Sequence, residues 1–346
     1  MNKKMSMNTW LKSTSFTGGF DSPMGDTLYG LNHQGHAGLI QDEQSSSGMV
    51  FFTRPQLNLT EGNLAMMRKF YSLLTKNDKS IHRYVRCLLD PRLKLDPGIE
   101  SAMLDNEMAF IPLMTNSINN MSGWPDEVLQ TYRSKQGVRR EQQTIGDGSV
   151  EIYESFDIDC TFSNMKDSPL LIIMQTWVRY INYVFEGIMM PYSDFMVENE
   201  IDYNTRIYRL VLDKTDTYVK QIASTGASMP MTVPTGKVFD FVGDDRYSKS
   251  TKEINLRFSC DGAIYNDPIT VVEFNQAVAN FNPDVRKMLL GEEHNLVKIP
   301  GNVIRWFNHR GYPIIDTETF ELGWWISKDG PTYKRVVEYY EEAVND

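Results

Sequence analysis

The chain has 346 residues, 41% of them hydrophobic, which is enough for a real core in one elaborated domain or two modest ones. A formal net charge of −10 excludes a surface built to grip phosphates, which needs clustered Lys and Arg. The three cysteines, Cys87, Cys160 and Cys260, are an odd, widely spaced set that fits neither a disulfide framework nor a zinc site, and they read as small buried hydrophobes.

Residues 1–47 hold Gly18-Gly19, Gly25, Gly30, Gly35 and Ser45-Ser46-Ser47 with few periodic apolar positions, the composition of an extended arm that a neighbour must cover. His33-x-x-His36 lies in this arm without a nearby Cys and does not make a metal site. Met49 to Thr53 reads as a strand. Thr60 then caps a helix carrying Leu64, Met67, Phe70, Tyr71 and Leu74, and a helical insertion is expected over about 60–106, its end, 94–106, reading as connection. The stretch from Asn116 to Trp124-Pro125, and on through Gly137 to Gly146-Asp147-Gly148, reads as loop. The last triplet lacks the strand-to-helix setting of a phosphate loop.

Strict alternation begins at Phe156, Ile158, Cys160 and Phe162, with Asp157, Asp159, Thr161 and Ser163 on the other face. It returns at Ile254, Leu256, Phe258 and Cys260 against Glu253, Asn255, Arg257 and Ser259, and breaks at Asp261-Gly262 as a turn or bulge would. Two matched strands imply one shared core. Between them, Ser168-Pro169 predicts a capped helix start, and Leu170, Ile173, Met174, Trp177, Ile181 and Val184 recur at helical spacing up to Gly187 and Pro191. Thr205–Leu212, the turn Asp213–Asp216 and Thr217–Ser224 predict a hairpin, which Gly226, Pro230 and Pro234 end. This is the plan of a barrel or sandwich with one helix across an open end.

Asp267-Pro268 opens a further helix with Val271, Phe274, Val278 and Phe281 on one side and Ile269, Val272, Gln276 and Ala279 on another, ended by Asn282-Pro283. A short helix through Leu290 follows. The tail holds Trp306, Phe307, Tyr312, Trp324 and Trp325, then a helix after Gly330-Pro331 with Val336, Val337, Tyr340 and Val344; residues 283–346 are expected to form a mainly helical, aromatic-rich extension.

The succession of alternating strand, helix with Trp177, Ile201-Asp202-Tyr203 entering a strand that ends Leu212-Asp213, Gly226 to Pro230 to Val233-Pro234, and the closing strand Glu253 to Cys260 resembles the tail-tube fold of contractile-tailed phages. Phe51 to Leu59, and Tyr312 to Asp316 through Leu322-Gly323-Trp324-Trp325, are similar to segments of large-phage virion proteins. The resemblance implies an α+β fold, a tail-tube-type β-barrel or sandwich over 48–282 with a flanking amphipathic helix, between an N-terminal arm and a C-terminal extension. It also implies a structural role in the virion: identical subunits in a ring, by family habit six-fold, contacting tube, sheath or baseplate neighbours, with phage DNA only as passing cargo. The long N-terminal lead, the helical insertion and the C-terminal extension depart from a minimal tube subunit, so tube, tube-baseplate junction and neck are all open positions.

No catalytic residue, cofactor or metal ligand is expected. Glu292-Glu293-His294, Asp157 with Asp159, and Asp244-Asp245 are the acidic candidates; adjacent carboxylates point different ways on regular structure, and the strand pair lies on a solvated face. The residues expected to face a channel or a neighbour are Asp157, Asp159, Glu253 and Arg257, and those expected to fix the core helix are Trp177 and Ile181. The competing reading is a host-glycan-binding β-sandwich with Trp306, Trp324 and Trp325 as its platform. The sequence has no run approaching the ~20 apolar residues of a membrane span and no signal-peptide core, which predicts synthesis in a reducing host cytoplasm without membrane anchoring.

Overall fold

The computed structural model describes residues 48–96, 98–213, 215–239, 252–304, 309–330 and 332–337. The expected arm 1–47, His33 and His36, Asp244-Asp245, Trp306, Phe307, Tyr340 and Val344 lie outside these residues. The described residues begin with strand β1 (Gly48–Phe52), helix α1 (Glu61–Ala65), a 3-10 turn over Arg68–Leu74, helix α2 (Ile81–Leu89) and a second 3-10 turn over Pro91–Leu95. Helix α3 (Pro112–Ser117) leads to strands β2 (Ile118–Ser122), β3 (Thr131–Arg133), β4 (Thr144–Gly146) and β5 (Ile152–Ser163). Helices α4 (Pro169–Phe185) and α5 (Ser193–Glu198), strands β6 (Ile207–Leu212) and β7 (Val219–Pro230), helix α6 (Thr235–Phe239) and strand β8 (Glu253–Tyr265) come next. Helices α7 (Pro268–Phe281) and α8 (Pro283–Leu290), strand β9 (Leu296–Lys298), helix α9 (Gly301–Ile304) and strands β10 (Tyr312–Ile315) and β11 (Leu322–Ser327) follow, and residues 332–337 are helical.

Six strands form one sheet in the order β1-β6-β7-β8-β5-β2. The chain divides into a larger unit, Val50–Tyr208 with Ala223–Tyr265, and a second containing Arg209–Ile222 and Asn266 onward. In the larger unit the sheet is strongly curled. β1 is three strands from β8 and four from β5, about 14 and 19 Å in a flat sheet. Yet the Phe52 ring lies 5.6 Å from Phe258 and 5.9 Å from Phe162. Only a sheet rolled toward a barrel brings these inner-face side chains together.

The predicted alternation places the core. Ile158, Cys160, Phe162, Ile254, Leu256, Phe258 and Cys260 are all buried, and β5 and β8 pair antiparallel with Ile158 opposite Phe258 and Cys160 opposite Leu256. The break at Asp261-Gly262 is a bulge and not a turn: β8 continues to Tyr265, Gly262 has φ 67°, and the register slips by one residue on β5 between Ile152 and Ser155. α4 begins at Pro169 as its proline predicts, and Leu170, Ile173, Met174 and Trp177 enter the same core, joined by Tyr180 and Tyr183. Ser168 does not cap it. Its φ of 47° turns the hydroxyl away from the helix, where it accepts a hydrogen bond from Asn164 Nδ2. At the other end Gly187 (φ 71°) closes a Schellman motif, with Gly187 N donating to Val184 O and Ile188 N to Tyr183 O.

Three local expectations fail for physical reasons. The stretch 116–124 is not all loop: Ile118–Ser122 is an edge strand on β5, unreadable because three of its five residues face water. Gly226 does not stop the hairpin; β7 runs through it to Pro230, because a Cβ there would come within 2.7 Å of Asp261 O and glycine permits the close strand approach. Tyr71 is exposed, because the turn that carries Phe70 inward is 3-10 and shifts the stripe away from α-helical spacing.

In the second unit α7 starts as predicted, with Asp267 accepting from Ile269 N, and Asn282 both ends α7 and caps α8. Val271, Phe274 and Val278 are buried while Ile269 and Val272 are exposed, which selects one of the two predicted faces. The expected mainly helical C-terminal extension also carries strands: beside α8, α9 and the helical residues 332–337, the described residues include a small sheet. β10, β11 and β9 form an antiparallel sheet, with Ile314 opposite Gly323 and Ile326 opposite Val297. Its strands are runs of three to six residues, too short for a period to separate strand from helix. Asn275 of α7 completes the edge of β10, donating from Nδ2 to Ile315 O (2.7 Å) and accepting from Ile315 N (2.9 Å).

Candidate assembly surface

The curled sheet leaves the polar sides of β5 and β8 facing outward. On the alternating polar face the exposed charged residues are Asp157, Asp159, Glu253 and Asp261 against Arg257, four carboxylates and one guanidinium, formally −3. The rest of the face is mainly Ser, Thr and Asn, and Glu154 and Tyr153 are exposed beside it at the bulge. Pairing runs Ser122, Asp159, Arg257 across β2, β5 and β8, with Asn120 against Thr161 against Asn255 beside it.

Arg257 is the organising side chain of this face. Directly opposite Asp159, it donates from Nε to Oδ1 at 2.8 Å and from Nη2 to Oδ2 at 3.1 Å, while Nη1 lies 4.0 Å from Asp157 Oδ2. The fork holds Asp159 below the usual carboxylate range and raises Arg257. Ser155 Oγ similarly donates to Asp261 Oδ1 at 2.7 Å. Asp157, Asp159 and Arg257 therefore come together as one group. Glu253 sits apart at the start of β8, opposite Ser163.

Trp177 is fully buried and donates from Nε1 to Tyr203 O at 2.9 Å, tying α4 to the approach of β6. Ile181 is half-buried against the same core.

Sequence reasoning missed the support beneath this sheet. Arg54, just after β1, is buried and sends its guanidinium to four backbone carbonyls: Leu88 O (2.8 Å), Cys87 O (2.7 Å), Met108 O (3.0 Å) and Asn106 O (3.2 Å). Two of these belong to the last turn of α2, which has no helical donors of its own left to offer. Burial lowers the Arg54 guanidinium to about 10. Three residues on, Leu57 N donates to Leu89 O, and Leu59 N to the Asp90 carboxylate (2.8 Å), which also accepts from Arg92 N and Tyr192 OH. Burial pushes Asp90 up to about 6 despite these donors. Asp202 is likewise raised by burial and takes the Tyr180 hydroxyl. The signal in the sequence was Arg54-Pro55 directly after an apolar strand, where an ion has no local partner.

The acidic candidates for catalysis are dispersed. His294 Nδ1 accepts from Leu296 N and its ring stands edge-on to Trp325 at 6.0 Å. Asp157 and Asp159 face solvent beside Arg257. Among the described residues no group of three or more His, Cys, Asp or Glu side chains could hold a metal ion, and no helix is long and apolar enough to cross a membrane. The three thiols are free and buried, and burial raises each, Cys160 to about 12 and Cys260 to about 11.

Residues 2–340 match the family described as "Putative phage tail tube protein". The chain belongs to this family. The tail tube match takes in nearly all of both units. Among solved structures, the chain is similar to the anti-feeding prophage cap (AFP tube terminating cap), at 11% identity over 45% of this chain and 81% of that one, TM-score 0.28. It is similar also to the PVC sheath/tube terminator of an extracellular contractile injection system in its extended state, at 12% identity over 46% of this chain and 88% of that one, TM-score 0.25. No curated protein matches. A structural tail protein is thus the setting in which the polar sheet face of this tail tube family member has to be understood.

Proposed function

We propose that the protein builds a ring layer of a phage tail by lateral association of identical subunits, with the β5–β8 face turned to the channel and no catalytic role. The observation that carries this reading is that face itself: an exposed sheet surface with four carboxylates, one guanidinium already committed to Asp159, and otherwise mainly small neutral polar groups. Such a surface repels phosphate and offers duplex DNA nothing to grip, as a conduit requires. Six subunits per ring, contacts to tube, sheath or baseplate neighbours, passage of DNA as cargo, and synthesis in the host cytoplasm before incorporation into the virion belong to the same reading. Its position is the tube, the tube-baseplate junction or the neck.

For the glycan-binding alternative, Trp306 lies outside the described residues, and the other two tryptophans do not share a face. Trp324 is buried, and Trp325, its neighbour on β11, points to the opposite side of the strand.

The test is light scattering of the purified chain at rising concentration, followed by negative-stain imaging. Rings or tubes with a central hole are expected. A monomer at every concentration, with no stacking, overturns self-assembly.

A further inference from the structure

Between β2 and β5 the chain leaves the barrel as an exposed arm. β3 and β4 pair with Tyr132 opposite Ile145, and the ladder continues at both ends, with Asp147 N donating to Gln130 O, Ser134 N to Gln143 O and Gly137 N to Glu141 O. It is an ordered hairpin, yet every residue from 126 to 150 except Ser134 is exposed. Its end carries Arg133, Lys135, Arg139 and Arg140 with no carboxylate between 133 and 140, around Val138, which is 103% exposed. Tyr132 and Ile145 stand exposed behind this tip. Over 126–150 these four cations are balanced by Asp126, Glu127, Glu141 and Asp147, but only Glu141 stands at the tip, which stays net positive. An ordered arm with an apolar, cationic tip on an acidic chain has a counterpart elsewhere on the same unit.

That counterpart is the corner between α4 and α5. Between Arg179 and Arg206 the chain has no Lys or Arg, and Glu186, Glu198 and Glu200 are exposed there. Around them Phe185 is 90% exposed and Val197 79%, and Met190 and Met196 are also exposed. Phe195 turns inward against Arg92, which fixes the outward presentation of Met196 and Val197. Arg92 is itself paired with Asp194 at 2.7 Å, so Glu186, Glu198 and Glu200 leave the corner acidic on balance. Solvent-facing apolar side chains of this size beside an excess of one charge mark a contact surface.

We infer that the arm of one subunit docks on the α4–α5 corner of a second copy, the Arg139-Arg140 tip against Glu198 and Glu200 and Val138 among Phe185 and Val197. The two surfaces differ, so the contact is heterologous. A chain carrying both halves links head to tail into a closed ring or an open stack. The opposite charges steer the encounter, and the apolar contacts hold it. This rests on the self-assembly proposed above and adds the contact that carries it.

The test uses the full chain. Arg139→Glu with Arg140→Glu, and separately Glu198→Lys with Glu200→Lys, should each weaken assembly by about tenfold or more at 0.1 M salt, and the four changes combined should restore it to within about threefold. All four positions are exposed, so circular dichroism should be unchanged. In parallel, Val138→Cys mixed with Val197→Cys under mild oxidation should give a covalent dimer that neither gives alone, since the three native thiols are buried. Assembly that survives both reversals without cross-linking overturns the inference while leaving self-assembly intact; so does an arm reversal that removes only DNA retention. A chain that never associates overturns both.

Discussion

Trp177 fills the centre of the larger unit and uses its one polar atom on Tyr203 O, so its removal leaves both a cavity and an unsatisfied carbonyl. Trp177→Ala should cost about 3–5 kcal/mol in chemical denaturation; no change in the midpoint would mean that α4 does not pack as described. Asp90 titrates against the fold. Its folded value of about 6 lies above the ordinary 3.8, so the native state binds the proton more tightly than the unfolded chain. The stability this confers is fully present below about pH 4 and is lost as pH rises through about 6, a difference of roughly 3 kcal/mol at most. Relative to Asp90→Asn, the wild type should therefore gain stability between pH 7 and pH 4, read from denaturant midpoints at each pH. A flat difference would mean that the Leu59, Arg92 and Tyr192 donors offset the burial completely.

At the scale of elements, β7 and β8 leave no room for a side chain at Gly226. Placing a methyl group 2.7 Å from Asp261 O must move one strand, and Gly226→Ala should cost about 1–3 kcal/mol, measured by thermal unfolding. The elements legible in the sequence were those whose signal is local and repeated. β5 and β8 alternate over seven or more residues, α4 carries a long stripe after a proline, and α7 and α8 begin at Asp267-Pro268 and Asn282-Pro283 with side-chain caps in place. β2 was hidden by its polar edge residues, and β9 to β11 by their brevity. Arg54 was hidden for a different reason: its partners lie 33 to 54 residues away, and no periodicity encodes a guanidinium folded back on another helix's end.

For the whole molecule, the polar face was readable as alternation, and the grouping of Asp157, Asp159 and Arg257 followed from it. What alternation could not supply was the curl, which depends on where Phe52 meets Phe162 and Phe258. If the β5–β8 face lines a channel, its charge should be dispensable for assembly and decisive for passage. Asp157→Lys with Glu253→Lys leaves the Arg257–Asp159 pair intact and should give particles that form normally but retain DNA in a salt-sensitive way. Loss of assembly in that variant would place the face between subunits instead.

The rolled sheet also sets a timetable for the growing chain. Thr205 Oγ1 donates to Thr53 O, and β1 has β6 as its neighbour in the sheet, partners 152 residues apart in sequence. At about 5–20 residues per second, the ribosome needs roughly 8–30 s to deliver the second strand after the first. For that interval Val50 and Phe52 have made none of their native contacts with β6 and β8. The sheet can close only later still, when β8 emerges to join β7 to β5, and until then the inner face of β1 waits without those partners.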